Sequence, residues 1–421
     1  MLPHLAHAHA RPVGSNPPPG SSLQSTPDEL EISLSEAVSL DFSSVLLLDR
    51  SRRELPVGKI GYGSQGESSV RVPIDGELPA GTYGVVWRVV SAVDGHLTTG
   101  SFVFRVLEEG EDPQAAPEPL AVDPGSAGTL LGTVGERPDA LHWLVRALVL
   151  ACITFCLGGA IFLVLVIEPA VVDGGQAGEK LWPVLAARFA RFGSFAAAAL
   201  VPLLVFDLLA QVASIAQTDL AGALGRADLG SLLLSTTRYG FAWTMKILAG
   251  VALTALFLFA RGKGKGGAGL WEIGIAAGSL FLLAEALSSH AAAVQGEGVA
   301  GLPLPVISDW VHLVTASTWI GGLLFFLAVL FPGYRRAAIA QEERAAFLAA
   351  AVPRFSKLAL ASVLALGVSG TYNLAIQSTD LGAIGASLYG QVVGLKVGLF
   401  LALIAIGAIN LADLGPRLGL A

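Results

Sequence analysis

Residues 29–106 alternate apolar and polar positions in short runs broken by turn residues. "LEISLSEAVSLDF", "SVLLLD", "SVRVPI", "GTYGVVWRVV" and "SFVFRV" read as strands. Strands at this spacing predict a small all-β sandwich or barrel, with Trp87 in its core. Residues 107–137 are acidic and rich in Pro, Gly and Ala, the composition of a linker. The pattern then changes. Apolar runs at 141–167, 190–213, 238–260, 270–288, 309–332, 355–377 and 389–411 approach or exceed the roughly 20 residues needed to cross a bilayer as a helix. The chain therefore predicts an all-β head joined to an all-α polytopic membrane domain of about seven helices.

The membrane part repeats itself. "RFARFGSFAAAALVPLLVFDLLAQ" (188–211) aligns without gaps on "RFSKLALASVLALGVSGTYNLAIQ" (354–377), which sets Asp207 on Asn373. "YGFAWTMK" (239–246) matches "YGQVVGLK" (389–396), and "DALHW" (139–143) matches "DWVHL" (309–313), pairing His142 with His312. Helices 1–3 thus resemble helices 5–7 in the same orientation, a parallel repeat of the kind that places transport sites at the repeat interface. Helix 4 has no counterpart, because the chain stops soon after helix 7, and a final helix is expected to have been lost or never to have been present.

Charge fixes the orientation. With the head outside, the inner loops carry Lys180, Arg188, Arg191, Arg261, Lys263, Lys265, Arg335, Arg336, Arg344, Arg354, Lys357 and Arg417, and the outer loops only Arg226 and Arg238. This is the positive-inside pattern, so the head is expected on the extracytoplasmic side of the plasma membrane and the C-terminus in the cytoplasm. The net charge of −7 argues against nucleic acid as a partner. The only two cysteines, Cys152 and Cys156, lie in an apolar run and give the head no disulfide framework. Near the start, Ala6-His7-Ala8 has the small-x-small form of a cleavage site, so residues 1–8 are expected to be the remnant of a signal sequence. The expected division is then 9–107 head, 108–137 linker and 138–421 membrane domain, with the bilayer as partner.

Every histidine falls in the head or near the outer end of a helix: His142 and His312 open helices 1 and 5, and His290 closes helix 4. Imidazole is both a metal ligand and a proton carrier. At similar depth lie Asp207, Asn373 and Glu285, and ionisable groups inside a membrane domain are functional candidates by default. Lys246 and Lys396 sit about 10 Å into their helices at 1.5 Å per residue, where a lysine either snorkels or compensates a charge. Cys152 and Cys156 share a helix face and could hold Cu(I) or simply pack as small residues. In the head, Asp94 and His96 flank Gly95 on a turn between two strands. If processing follows Ala8, His9 becomes the first residue and adds an amine and an imidazole. That N/O set suits tetragonal Cu(II); cleavage after Ala6 makes His9 the third residue, also a Cu(II)-chelating arrangement. No phosphate loop, nucleophile elbow or HExxH occurs, so no enzymatic activity is expected.

The head resembles CopC, the extracytoplasmic copper-binding domain, through "HARPVGSNPPPG" (9–20), "LEISLSEAV" (30–38) and "GTYGVVWRVVSAVDGHLTTGSFVFRV" (81–106). The membrane part is similar to CopD through "SSHAA" (288–292), "DWVHLVTASTWIGGL" (309–323), "RFSKLAL" (354–360), "GTYN" (370–373) and "YGQVVGLK" (389–396). The resemblance to CopC–CopD fusion proteins implies a cupredoxin-like, Ig-like β-sandwich binding Cu(II) through His9, Asp94 and His96. It also implies a membrane partner associated with copper uptake or tolerance. The head has no Met beyond Met1, so the Met-rich Cu(I) site of some CopC proteins is expected to be absent. The leading expectation is extracytoplasmic Cu(II) capture followed by copper transfer through the outer-side groups His142, His290 and His312, in an oxidation state the residues leave open. The alternatives are a haem- or metal-dependent membrane redox protein, and copper sequestration or sensing without transport.

Overall fold

The computed structural model describes residues 10–108, 110–111, 140–173, 175–263, 268–292, 298–299, 301–337, 340–377 and 388–417. His9 and the linker after residue 111 lie outside them. The head is built from β1 (Pro12–Asn16), β2 (Ser22–Leu23), β3 (Glu29–Leu34), β4 (Val38–Leu48), β5 (Glu54–Leu55), β6 (Gly61–Gly63), β7 (Gly66–Pro73), β8 (Gly81–Ser91) and β9 (Leu97–Val106). They form a four-stranded sheet in the order β1-β3-β7-β6 and a five-stranded sheet in the order β2-β9-β8-β4-β5. β3 shows the expected alternation, burying Leu30, Ile32 and Leu34. These meet Val85, Trp87 and Val89 of β8 in the sandwich core. β8 is apolar on both faces for a different reason. Its other face sends Val90 out of the sandwich, onto the membrane domain.

The helices are α1 (Ala140–Phe162), α2 (Glu168–Asp173), α3 (Gly175–Ala216), α4 (Leu220–Leu224), α5 (Ala227–Thr236), α6 (Arg238–Lys263), α7 (Ala268–Leu287), α8 (Leu304–Phe325), α9 (Phe331–Arg336), α10 (Gln341–Gln377) and α11 (Leu388–Arg417). Six spans among the described residues are long and apolar enough to cross a membrane, and α11 carries a shorter apolar stretch, Val393–Gly407. The elements after the first and fifth spans begin earlier than hydropathy suggests, at Gly175 and Gln341, because their polar first turns carry no apolar signal.

The repeat is a structural one, with a register the His-centred alignment misses. Residues 157–169 align on 320–332, superposing "LGGAIFLVLVIEP" on "IGGLLFFLAVLFP". Both stretches carry a π-helical turn at the same place, Leu163–Ile167 and Phe326–Leu330. Three residues on the crossing touch their own counterparts. Thr154 Oγ1 lies 3.2 Å from Ser317 Oγ, Gly158 and Gly321 meet backbone to backbone, and the Phe162 and Phe325 rings are 5.1 Å apart. Such self-pairing marks a twofold axis between α1 and α8. A Cβ on Gly158 would overlap the Ser317 carbonyl, so glycine is required for this close approach. In this register His312 falls on Val149 rather than on His142, which corrects the pairing expected above; the seven-residue slip is nearly two turns and preserves the face.

Below the crossing, at the end of the bundle away from the head, aromatic rings fill the interior. Phe162 packs on Phe355 at 5.4 Å, and Phe189 packs on Phe325 at 5.3 Å and on Trp271 at 5.1 Å. Phe257 closes the group. Phe162, Phe189, Phe257, Trp271 and Phe325 are each fully buried or within 1 % of it.

Candidate metal site at the head–membrane junction

The β8–β9 connection is shorter than the sequence suggests: the strands run to Ser91 and restart at Leu97. The turn is held by backbone bonds from Ser91 to the His96 carbonyl at 2.9 Å and from Gly95 to the Ser91 carbonyl at 3.1 Å. Ser91 Oγ accepts from Val93 and Asp94 N–H, and Asp94 Oδ1 accepts from His96 N–H at 2.9 Å. This leaves Asp94 Oδ2 3.1 Å from His96 Nδ1. Burial pulls the His96 imidazolium pKa down, but the hydrogen bond and charge of Asp94 outweigh it and the pKa is raised. A carboxylate oxygen and an imidazole nitrogen at this separation are compatible with the N/O donor set expected for Cu(II).

A buried acid missed in the sequence lies near enough to feel the charge of Asp94. Glu36, in the connection between β3 and β4, is 6 % exposed, and its Oε1 has no hydrogen-bond partner among the described residues. Burial and the Asp94 charge push its pKa up to about 7. Its only signal in the sequence is an acid in "LSEAV" between two core strands. Because the folded pKa lies above the ordinary value, Glu36 favours folding at low pH, and that contribution disappears as pH rises from 4.5 through 7. Glu36→Gln is therefore expected to stabilise the metal-free chain at pH 8, by on the order of 1–3 kcal/mol, and to have little effect at pH 4. Thermal melts of both chains at the two pH values check this.

The turn is pressed against the head-facing end of the membrane domain. Gly95 has φ +76°, and a Cβ there would lie 3.2 Å from Gln211 Nε2 and 3.4 Å from Tyr239 Cγ, so glycine serves both the turn and the contact. Gln211 Nε2 donates to the Gly95 carbonyl. Arg238 N–H donates to the Ala92 carbonyl at 3.0 Å, and Arg88 Nη2 to the Ile215 carbonyl at 3.0 Å. Phe42 and Val90 sink among Val212, Ala213, Ile215, Leu233 and Tyr239, while Val93 packs on Ala286, Ala292 and Val306.

Beneath the turn is a cavity of about 40 Å3 walled by Asp94, His96, Arg146, Asp207, Gln211, Tyr239, Lys246, Glu285 and Ser288, with Val149 and Leu204. It has room for about three water-sized ligands. Tyr239 Oη donates to Asp207 Oδ2 at 3.1 Å. On the floor, Glu285 bridges two cations, Arg146 Nη2 at 2.9 Å and Lys246 Nζ at 3.0 Å. Lys246 and Glu285 are 5 % and 7 % exposed.

Of the candidates read from the sequence, Asp94, His96, Asp207, Glu285 and Lys246 thus converge on one cavity. The others do not. His312 Nδ1 lies 3.1 Å from Ser369 Oγ, and Asn373 Oδ1 accepts from Ser308 Oγ at 2.7 Å, both between α8 and α10. Lys396 is exposed on α11. Cys156 is buried with Sγ 3.8 Å from the Gly193 carbonyl, and Cys152 is half-buried beside it, as packing residues. His142 lies in the first turn of α1 and His290 opens a short 3-10 turn, their side chains outside the description. Among the described residues, no group of three His, Cys, Asp or Glu is placed to hold a metal ion. Arg146, in the apolar run of α1, was the cavity charge the sequence reading passed over.

Comparison with known proteins covers most of the chain. Residues 12–107 match the CopC domain, residues 137–302 the Copper resistance protein D-like N-terminal domain, and residues 349–420 Copper resistance protein D. The copper transport protein CutJ of Bacillus subtilis (strain 168) is 26 % identical over 418 residues, 97 % of this chain and 69 % of its own length. Copper resistance protein C of Escherichia coli is 34 % identical over 109 residues, 24 % of this chain and 82 % of its own. Two solved structures align with the head. CopC from Methylosinus trichosporium OB3b has 22 % identity, covering 25 % of this chain and 99 % of that one, with TM-score 0.23. PcoC, a methionine-rich copper resistance protein from Escherichia coli, has 32 % identity, 23 % and 98 % coverage and TM-score 0.21.

Proposed function

Since the chain belongs to the family of CopC- and CopD-type copper resistance and transport proteins, we propose that its head captures Cu(II) outside the cell and hands copper to the membrane domain directly beneath. The observation that carries this reading is the docking: the Asp94–Gly95–His96 turn forms the roof of the cavity whose walls and floor are Asp207, Tyr239, Lys246 and Glu285. A binding module that only sequestered copper would have no need to face a charged cavity in the bilayer, where each ionisable group is costly. In this proposal processing after Ala8 exposes His9, whose amine and imidazole complete the donor set of Asp94 and His96. The chain is a carrier with no turnover of its own, set in the plasma membrane with the head outward.

Copper-loaded liposomes containing the purified chain test the reading. Flux should depend on the chain and fall about tenfold or more when Asp207 becomes Asn, the interaction lost at the acceptor wall being worth 1.4 kcal/mol per tenfold, while Cu(II) binding by the head stays unchanged. No chain-dependent flux, or flux indifferent to Asp207→Asn, would refute the handover.

A further inference from the structure

The junction between head and membrane domain holds a second cavity, of about 310 Å3, which shares no lining residue with the one beneath the turn. Its head-side wall comes from an irregularity in β4. Ser39 pairs with Val90 and Ser44 with Arg88, so four residues of β4 oppose the single Val89 of β8. Extra chain of this kind bends the strand outward. Phe42 anchors the bend among Val212, Leu233 and Tyr239 of the membrane domain, and Asp41, Ser43 and Ser44 line the cavity beside Arg88. The facing wall is the end of α3, at Ile215 and Ala216, and the start of α5, at Arg226 and Leu229. Ala216 also ends the second apolar span, so the cavity lies where that helix leaves the bilayer, at the level of lipid headgroups. Its volume is at the lower end of the roughly 300–1,000 Å3 usual for small-molecule sites.

Charge decides what the cavity suits. The Arg88 guanidinium is half-buried. Its Nη2 donates to the Ile215 carbonyl, its Nε is buried with no hydrogen-bond partner among the described residues, and burial, unopposed by any carboxylate, pulls its pKa down. A cation so placed is costly until an anion joins it. Arg226 stands on the facing wall. It pairs with Asp228 at 3.3 and 3.4 Å, but both side chains are exposed, and such a pair yields readily. Arg226 is also the N-cap of α5, with no side-chain cap bond, so the positive end of that helix opens at the cavity. Against these stands one acid of the lining, the exposed Asp41. Two planar guanidinium forks on opposite walls match a phosphate, which each can hold through paired N–H donors. We propose that this cavity binds a phosphate group between Arg88 and Arg226, carried by a phospholipid headgroup of the leaflet on the head's side or present as free phosphate. The apolar Ile215, Ala216 and Leu229 of the same lining suit the glycerol end of a lipid. A ligand there touches β4 and β8 on one side and α3 and α5 on the other, so it ties the head down onto the membrane domain.

The test contains no copper and is therefore separate from the handover. Full-length protein in nonionic detergent is titrated with dihexanoyl phosphatidylglycerol, with inorganic phosphate, and with dihexanoylglycerol as the phosphate-free control. Thermal unfolding reads the binding, since a ligand of the folded state raises the melting temperature as it saturates. The phosphate-bearing lipid should raise it and the control should not; a rise with inorganic phosphate alone assigns the site to the free ion. Arg88→Gln should raise the half-saturating concentration about tenfold or more, the loss expected for a charge-assisted hydrogen bond. Because Arg88 also holds the Ile215 carbonyl, Arg226→Glu repeats the measurement from an exposed position that the fold does not need. Asp41→Asn should lower the half-saturating concentration about two- to fivefold by removing the one like charge of the lining, a gain that a merely structural role would not produce. No rise with either phosphate ligand, an equal rise with dihexanoylglycerol, or a rise indifferent to both Arg226→Glu and Asp41→Asn would overturn the proposal.

Discussion

Replacing His96 by Ala will weaken Cu(II) binding to the full-length chain by about 100-fold or more, at or beyond the range seen when even an outer-shell partner of a metal ligand is lost. The size of the effect follows from how the ring is held. Asp94 is fixed by the Ser91 turn and is only 4 % exposed, and its carboxylate in turn fixes His96. A preorganised imidazole of this kind has no substitute in the turn, since Val93 and Leu97 on either side are apolar. Asp94→Asn keeps the shape and should cost less, losing charge but retaining an oxygen donor. Competition against a Cu(II) chelator, followed by EPR, measures both. An exposed residue of the head such as Lys59 provides the control, and its replacement by Ala should leave the affinity alone. An affinity unchanged in His96→Ala would remove the turn from the metal site.

The second large effect is on stability. Glu285→Ala leaves Arg146 and Lys246 facing each other in the bundle with no anion between them, a change expected to cost about 3–5 kcal/mol. That corresponds to a fall of about 10 °C in melting temperature for a domain of this size. Lys246→Gln should be far milder, because Glu285 keeps Arg146 and the pair remains neutral. The contrast between the two substitutions is the informative measurement, made by thermal unfolding in one detergent. Equal losses would mean that Lys246, rather than Arg146, is the indispensable partner of Glu285.

Much of this organisation is legible in the sequence, for reasons that can be named. The strands of the head show because one face of β3 and of its neighbours is wet, which imposes a period of two. The membrane helices show because lipid accepts only apolar side chains over about 20 residues. Asp94 and His96 stand out as chemistry on a turn between two apolar strands. The register of α1 on α8 was hidden, because the eye matches histidines and tryptophans, whereas what superposes is a pair of glycines, a phenylalanine and a proline. Glu36 was hidden since a buried acid in a short connection looks like any surface acid until the sheets close over it. Arg146 was hidden because its partner, Glu285, arrives from a helix 139 residues away, a distance no local pattern spans. Lys246 and Lys396 occupy matching positions in the sequence yet differ in environment, one buried in an ion pair and the other exposed. The repeat conserves the position of a side chain along its helix, while the neighbours decide what that side chain does.

The aromatic packing at the inner end of the bundle bears on the economy of the membrane itself. A plasma membrane is a charged capacitor, and each elementary charge that leaks across 100 mV dissipates about 2.3 kcal/mol. Phe162, Phe189, Phe257, Trp271 and Phe325 form a packed apolar layer at this end of the bundle. On α1 the charged cavity at Arg146 and Val149 and the ring layer at Phe162 lie on opposite sides of Gly158. Under the proposed handover, an ion crossing the bundle has to pass this layer of rings. The Phe162–Phe325 contact ties the two halves of the repeat together at that layer.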